Sequence, residues 1–80
     1  MIEVTARYFA AFRERAGRDR EELTTSARTA AELYGEVARK YGFADSITRC
    51  KVAINDELAD WNVTLETGNE VLFFPPVAGG

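Results

Sequence analysis

Apolar and polar side chains alternate along Ile2-Glu3-Val4-Thr5-Ala6-Arg7-Tyr8, a period of two that predicts a half-buried strand with Ile2, Val4, Ala6 and Tyr8 on one face. Phe9 continues the opposite face, with Thr5 and Arg7. Ala10 to Ala16 is rich in helix formers and stops at Gly17, which predicts one or two helical turns. Arg20 to Thr25 has Leu23 as its only large apolar residue, the pattern of an edge strand.

The period then changes. Leu33, Val37 and Tyr41 recur every four residues, flanked by Ala30, Tyr34 and Ala38, so an amphipathic helix of about three turns is predicted. Its start is a capping box, Thr29-Ala30-Ala31-Glu32. The Thr29 hydroxyl can accept from the amide at the third helical position, while Glu32 reaches back to the cap's own amide. Arg39 and Lys40 suit the negative end of the helix dipole, and Gly42 suits the left-handed position that ends it.

A loop through Asp45 and Ser46 leads to Cys50, Val52 and Ile54, which alternate with Lys51 and Ala53 as a strand does. Asn55-Asp56-Glu57 has hairpin-turn chemistry, Leu58 begins the return, and Trp61 and Asn62 read as loop. Thr67-Gly68-Asn69 is a second turn before Val71-Leu72-Phe73-Phe74, a strand apolar on both faces. Pro75-Pro76 ends it, since neither proline offers an amide to a ladder.

The order of elements predicts an α+β domain: a β-grasp, or ubiquitin-like, roll with one main helix across one face of a mixed four- or five-stranded sheet. A ferredoxin-like sandwich would need a second long helix that the chain lacks. The expected division is a β-grasp domain over residues 1–74 and a flexible C-terminal tail over 75–80.

Eighty residues leave room for one core, so two domains are excluded. No apolar run approaches the roughly 20 residues of a bilayer helix, and strand-like residues begin right after Met1 with no leader, so a cytoplasmic protein away from membranes is expected. Ten basic residues scattered among thirteen acidic ones give a net charge of -3, which argues against nucleic acid as a partner. With no histidine and a single cysteine, the chain has no disulfide framework, no Cys/His zinc site and no imidazole catalysis; no metal site is expected. Cys50 shares the core face with Val52 and Ile54, so it reads as an inert buried thiol. Glu21-Glu22 and Asp56-Glu57 read as solvated surface rather than acid-base dyads. Gly79-Gly80 precedes no helix and is no phosphate loop.

The tail combines features that packing does not require: a strand ending in aromatics, two stiff prolines, then small residues up to a terminal carboxylate. From Pro75 to Gly80 it can reach at most roughly 20 Å, enough to place that carboxylate deep inside another protein. Glycines pass through a narrow channel and leave the terminal carbonyl carbon open to attack. Prolines at its base reduce the entropy lost on insertion. Alternation also predicts that Leu72 and Phe74 face outward if Val71 and Phe73 face the core. With Phe9 and Leu58 they form a candidate docking surface at the root of the tail, unless a loop near Trp61 covers it.

Phe73-Phe74-Pro75-Pro76-Val77-Ala78-Gly79-Gly80, preceded by Gly68-Asn69-Glu70-Val71, closely resembles the C-terminal signature of the small, sulfur-carrier subunits of molybdopterin synthase. Tyr8-Phe9-Ala10, Arg13-Glu14 and Gly17 resemble the family's first strand and turn, as Val52-Ala53-Ile54-Asn55 resembles the stretch before its hairpin. The similarity spans essentially the whole chain. Terminal Gly-Gly alone would be shared with ThiS-type carriers of thiazole synthesis and with ubiquitin-like modifiers.

The resemblance implies a covalent carrier that is not itself a catalyst. A ubiquitin-activating-like adenylyltransferase would use ATP and magnesium to adenylate Gly80, and a sulfur donor enzyme would convert the mixed anhydride to a thiocarboxylate. Pro75, Pro76, Val77, Ala78 and Gly79 would then lie inside the large synthase subunit, where the sulfur attacks cyclic pyranopterin monophosphate. Phe9, Leu58 and Phe74 correspond to family positions that contact both partners, and this chain itself would bind no cofactor. A carrier for another pathway, a protein modifier, or a non-covalent β-grasp interaction module are the alternatives; only Lys40 and Lys51 offer acceptor amines for a chain-forming modifier.

Overall fold

Residues 1–76 are described by a computed structural model of the chain, in which the predicted strands and helices form within a residue or two of their expected limits. The order is β1 (Ile2–Tyr8), α1 (Ala11–Ala16), β2 (Arg20–Thr25), α2 (Ala30–Tyr41), β3 (Lys51–Ile54), β4 (Glu57–Ala59) and β5 (Glu70–Phe74). The stretch expected as plain loop after Asp45 contains one 3₁₀ turn, Ile47–Arg49. The Ser46 side chain starts it by accepting from the Thr48 amide at 3.1 Å, the local bonding by which serine competes for backbone donors.

The five strands lie in the order β2-β1-β5-β3-β4. β1 and β5 are parallel and the other pairs antiparallel, so the sheet is mixed and the fold is a β-grasp roll. Composition explains the positions. β5, apolar on both faces, is the central strand, whereas polar β2 and three-residue β4 are the edges. Asn55 and Asp56 both adopt positive φ, 51° and 71°, as a two-residue hairpin turn between β3 and β4 demands.

α2 lies on one face and buries Leu33, Tyr34 and Val37 against Val4, Tyr8, Val52, Val71 and Phe73. Phe73 and Val71 are wholly buried, and truncating a core phenylalanine to alanine costs about 3–5 kcal/mol. The cap forms as half of a capping box: the Glu32 amide donates to Thr29 Oγ1 at 3.2 Å. Glu32 itself accepts from the Arg28 amide at 2.7 Å, one residue earlier than expected, where the chain is bridged at Thr29 to Thr64. Gly42 closes the helix at φ 76°, its amide donating to the Ala38 carbonyl.

Glu21 departs from expectation. It is buried rather than solvated, because strand alternation turns it inward while Glu22 points out. Tyr8 and Tyr41 donate their hydroxyls to Glu21 Oε2, and Arg18 and Lys40 each approach Oε1 at 3.2 Å. Burial alone would push this carboxyl up; donation by Tyr41, Tyr8 and Lys40 outweighs it and holds the group below its ordinary range. The edge strand is thereby clasped to α2 through a charged, fully bonded carboxylate.

Candidate functional site

On the sheet face opposite α2 the strands present Arg7 and Phe9 from β1 and its end, Leu72 and Phe74 from β5, Lys51 and Ala53 from β3, and Leu58 from β4. Phe9 leaves the ladder where its amide donates to the Phe73 carbonyl at 3.2 Å, and Ala10 then takes φ 51° to turn the chain into α1. That turn fixes Phe9 beside Phe74, with ring centroids 5.4 Å apart. Leu58 projects from the edge strand at 74% exposure and Phe9 at 52%, unusual values for large apolar side chains on a small domain.

These residues border one apolar basin of about 680 Å³, lined by Phe9, Leu58 and Phe74, by Ala10 and Ala11, by Lys51, and by Pro75 and Pro76. The expected grouping of Phe9, Leu58 and Phe74 therefore forms, at the point where the chain leaves β5. Leu72 is placed differently. It lies half-buried in register between Arg7 and Ala53, on the same face but outside the basin lining. Trp61 does not cover the surface. Its ring stacks on Phe73 at 6.1 Å on the α2 side, and its indole N–H donates to the Cys50 carbonyl at 3.3 Å.

Sequence reasoning missed Lys51, Ala10 and Ala11 as parts of this basin. Lys51 was legible as a residue facing opposite Cys50 and Val52, but its position across from Phe74 depends on the β3–β5 register. Farther along the same face, outside the basin, Glu70 accepts from Arg7 at 3.2 Å and from Arg20 at 3.5 Å across β1, β2 and β5. Val77, Ala78, Gly79 and Gly80 lie outside the described residues.

Groups with chemistry of their own are few. Cys50 is buried, as expected, and burial foremost pushes its thiol up, away from the reactive thiolate. Tyr34 donates to the Asp45 carbonyl at 2.6 Å, and burial, then Cys50, raises it further from ionisation. Among the described residues no group of three or more His, Cys, Asp or Glu side chains could hold a metal, and no helix is long and apolar enough to cross a membrane. What the arrangement offers is an apolar seat beside Pro75 and Pro76, where the chain leaves β5.

Known proteins resemble this chain along essentially its whole length. Residues 6–80 match the ThiS family. The molybdopterin synthase sulfur carrier subunits of Mycobacterium tuberculosis and Escherichia coli are 36% and 34% identical, each over the whole of both chains. Among solved structures, a putative molybdopterin converting factor subunit 1 from Pyrococcus furiosus is 28% identical with a TM-score of 0.78, covering 96% of this chain and all of that one. A protein–protein complex of subunits 1 and 2 of molybdopterin-converting factor from Helicobacter pylori contains a chain 28% identical, with a TM-score of 0.68 over 99% of this chain and all of that one.

Proposed function

The chain belongs to the ThiS family, and from that premise we propose that it is the sulfur-carrier subunit of a molybdopterin synthase, with Gly80 as its working residue. The observation that carries this reading is end-to-end similarity to carrier subunits of that synthase in two organisms. The apolar basin at the root of the tail supports it, because a carrier must hold a partner while its end is worked on.

In this reading the free carboxylate of Gly80, a poor electrophile, attacks the α-phosphorus of ATP on the adenylyltransferase, and pyrophosphate leaves. The acyl adenylate then accepts sulfur from a donor enzyme, releasing AMP and leaving a thiocarboxylate. Magnesium and ATP belong to the activating partner, not to this chain. With Phe9, Leu58 and Phe74 seated on the large subunit, Pro75 to Gly79 carry the sulfur into that subunit's active site. There the sulfur attacks cyclic pyranopterin monophosphate, water cleaves the resulting thioester between the Gly80 carbonyl carbon and sulfur to return the carboxylate, and two such transfers supply the dithiolene sulfurs. The complex of subunits 1 and 2 from Helicobacter pylori supports a large-subunit partner of this kind. Leu72 acts from the same face, beneath the seat rather than in it. Adenylation by ATP places these steps in the cytoplasm.

Reconstitution tests the reading. The thiocarboxylated protein, mixed with its large subunit and cyclic pyranopterin monophosphate, should form molybdopterin, read as the fluorescent oxidised pterin. Equal pterin formation from the untreated carboxylate form would refute it.

A further inference from the structure

Lys51 is the one cation that lines the basin. On β3 it stands directly opposite Phe74 of β5, it is exposed, and its amine makes no ion pair among the described residues. Arg7 and Arg20, cations on the same sheet face, differ in that both share the Glu70 carboxylate, although the buried Nε of Arg7 has no partner of its own. Asp60 shares an adjoining groove with Lys51 but stands beyond ion-pair distance. Among the described residues the basin therefore combines three large apolar groups with a single positive charge that has no ion-pair partner.

A protein surface that covers Phe9, Leu58 and Phe74 takes water from this ammonium as well. A charge desolvated without a partner is costly, whereas one met by a carboxylate gains both a strong hydrogen bond and selectivity. Resting on the reading above, we propose that Lys51 is a specificity-determining residue of the docking basin, and that the large subunit brings an Asp or Glu carboxylate to its amine when its apolar surface fills the seat. The four-carbon stem of Lys51 packs with the seat, and its charge rejects partners that are apolar but lack the acid.

Calorimetry with the large subunit, on wild type and on Lys51→Met, Lys51→Arg and Lys51→Glu, tests this. Methionine keeps the stem and removes the charge, so affinity should fall about tenfold at low salt, and the gap should narrow at high salt. Arginine should stay within about threefold of wild type and glutamate should lose about a hundredfold, with unchanged melting temperatures. Carbodiimide treatment of the complex should join the Lys51 amine to an Asp or Glu of the large subunit, with loss of water. Lys51→Met binding as tightly as wild type, or a link to Asp60 or to this chain's own terminal carboxylate, overturns the assignment while leaving the carrier reading intact. Failure of wild type to bind the large subunit removes both.

Discussion

The rings of Phe9 and Phe74 meet at 5.4 Å between centroids although 65 positions separate them in the chain. The parallel pairing of β1 with β5 brings them together, and the turn at Ala10 holds Phe9 at the end of its strand. Neither ring belongs to the core cluster. Phe74→Ala should therefore weaken binding of the large subunit by about 1–4 kcal/mol, the range of aromatic anchors at interfaces, while the fold loses little. Calorimetry and a thermal melt together check this; a melting temperature that falls as steeply as the affinity would place Phe74 in the core instead.

Deletion of Gly80 should abolish sulfur loading and leave the melting temperature within a degree or two of wild type, on the order of a few tenths of a kcal/mol. The described core ends at Phe73, on which stability rests. A large thermal shift, or loading that survives the deletion, contradicts the account.

Glu21 predicts an acid limb. Its folded carboxyl protonates less readily than its ordinary value of 4.5, so the unfolded chain takes up the proton first as pH falls. The stabilisation is thus complete above that value and is lost as pH falls through it towards the folded value. Glu21→Gln should cost about 2 kcal/mol at pH 7, and the difference from wild type should shrink by pH 3 in urea titrations. A gap independent of pH would mean that shape, not charge, is what Glu21 contributes.

Cys50 should resist thiol reagents in the folded protein at pH 7.5 and react fully in denaturant, because burial both shields the sulfur and disfavours its thiolate. Prompt labelling without denaturant would show that the core opens locally beside Trp61.

Much of this fold was legible because each local signal agreed with the global one. The switch of period from two to near four at Thr29, the cap, and the glycine at Gly42 located α2, and the double-sided apolarity of Val71 to Phe74 marked the central strand. Glu21 was not legible: the donors to its carboxylate come from Tyr8, Arg18, Lys40 and Tyr41, which only β1–β2 pairing and helix packing assemble. The same holds for the basin. Outward alternation placed Phe9 and Phe74 on one face, but the neighbourhood of Lys51, Leu58 and the prolines follows from the register of β3 between β5 and β4, which no local pattern encodes.

The central claim is that Gly80 carries sulfur. Mass spectrometry of the intact protein and of its C-terminal peptide, after incubation with ATP, magnesium, the adenylyltransferase and a sulfur source, tests it most directly. The account predicts an oxygen-for-sulfur increment confined to the peptide ending in Gly80 and capped by a thiol-alkylating reagent. An unmodified C-terminal peptide, or an increment found only on the peptides of Met1 or Cys50, would contradict it.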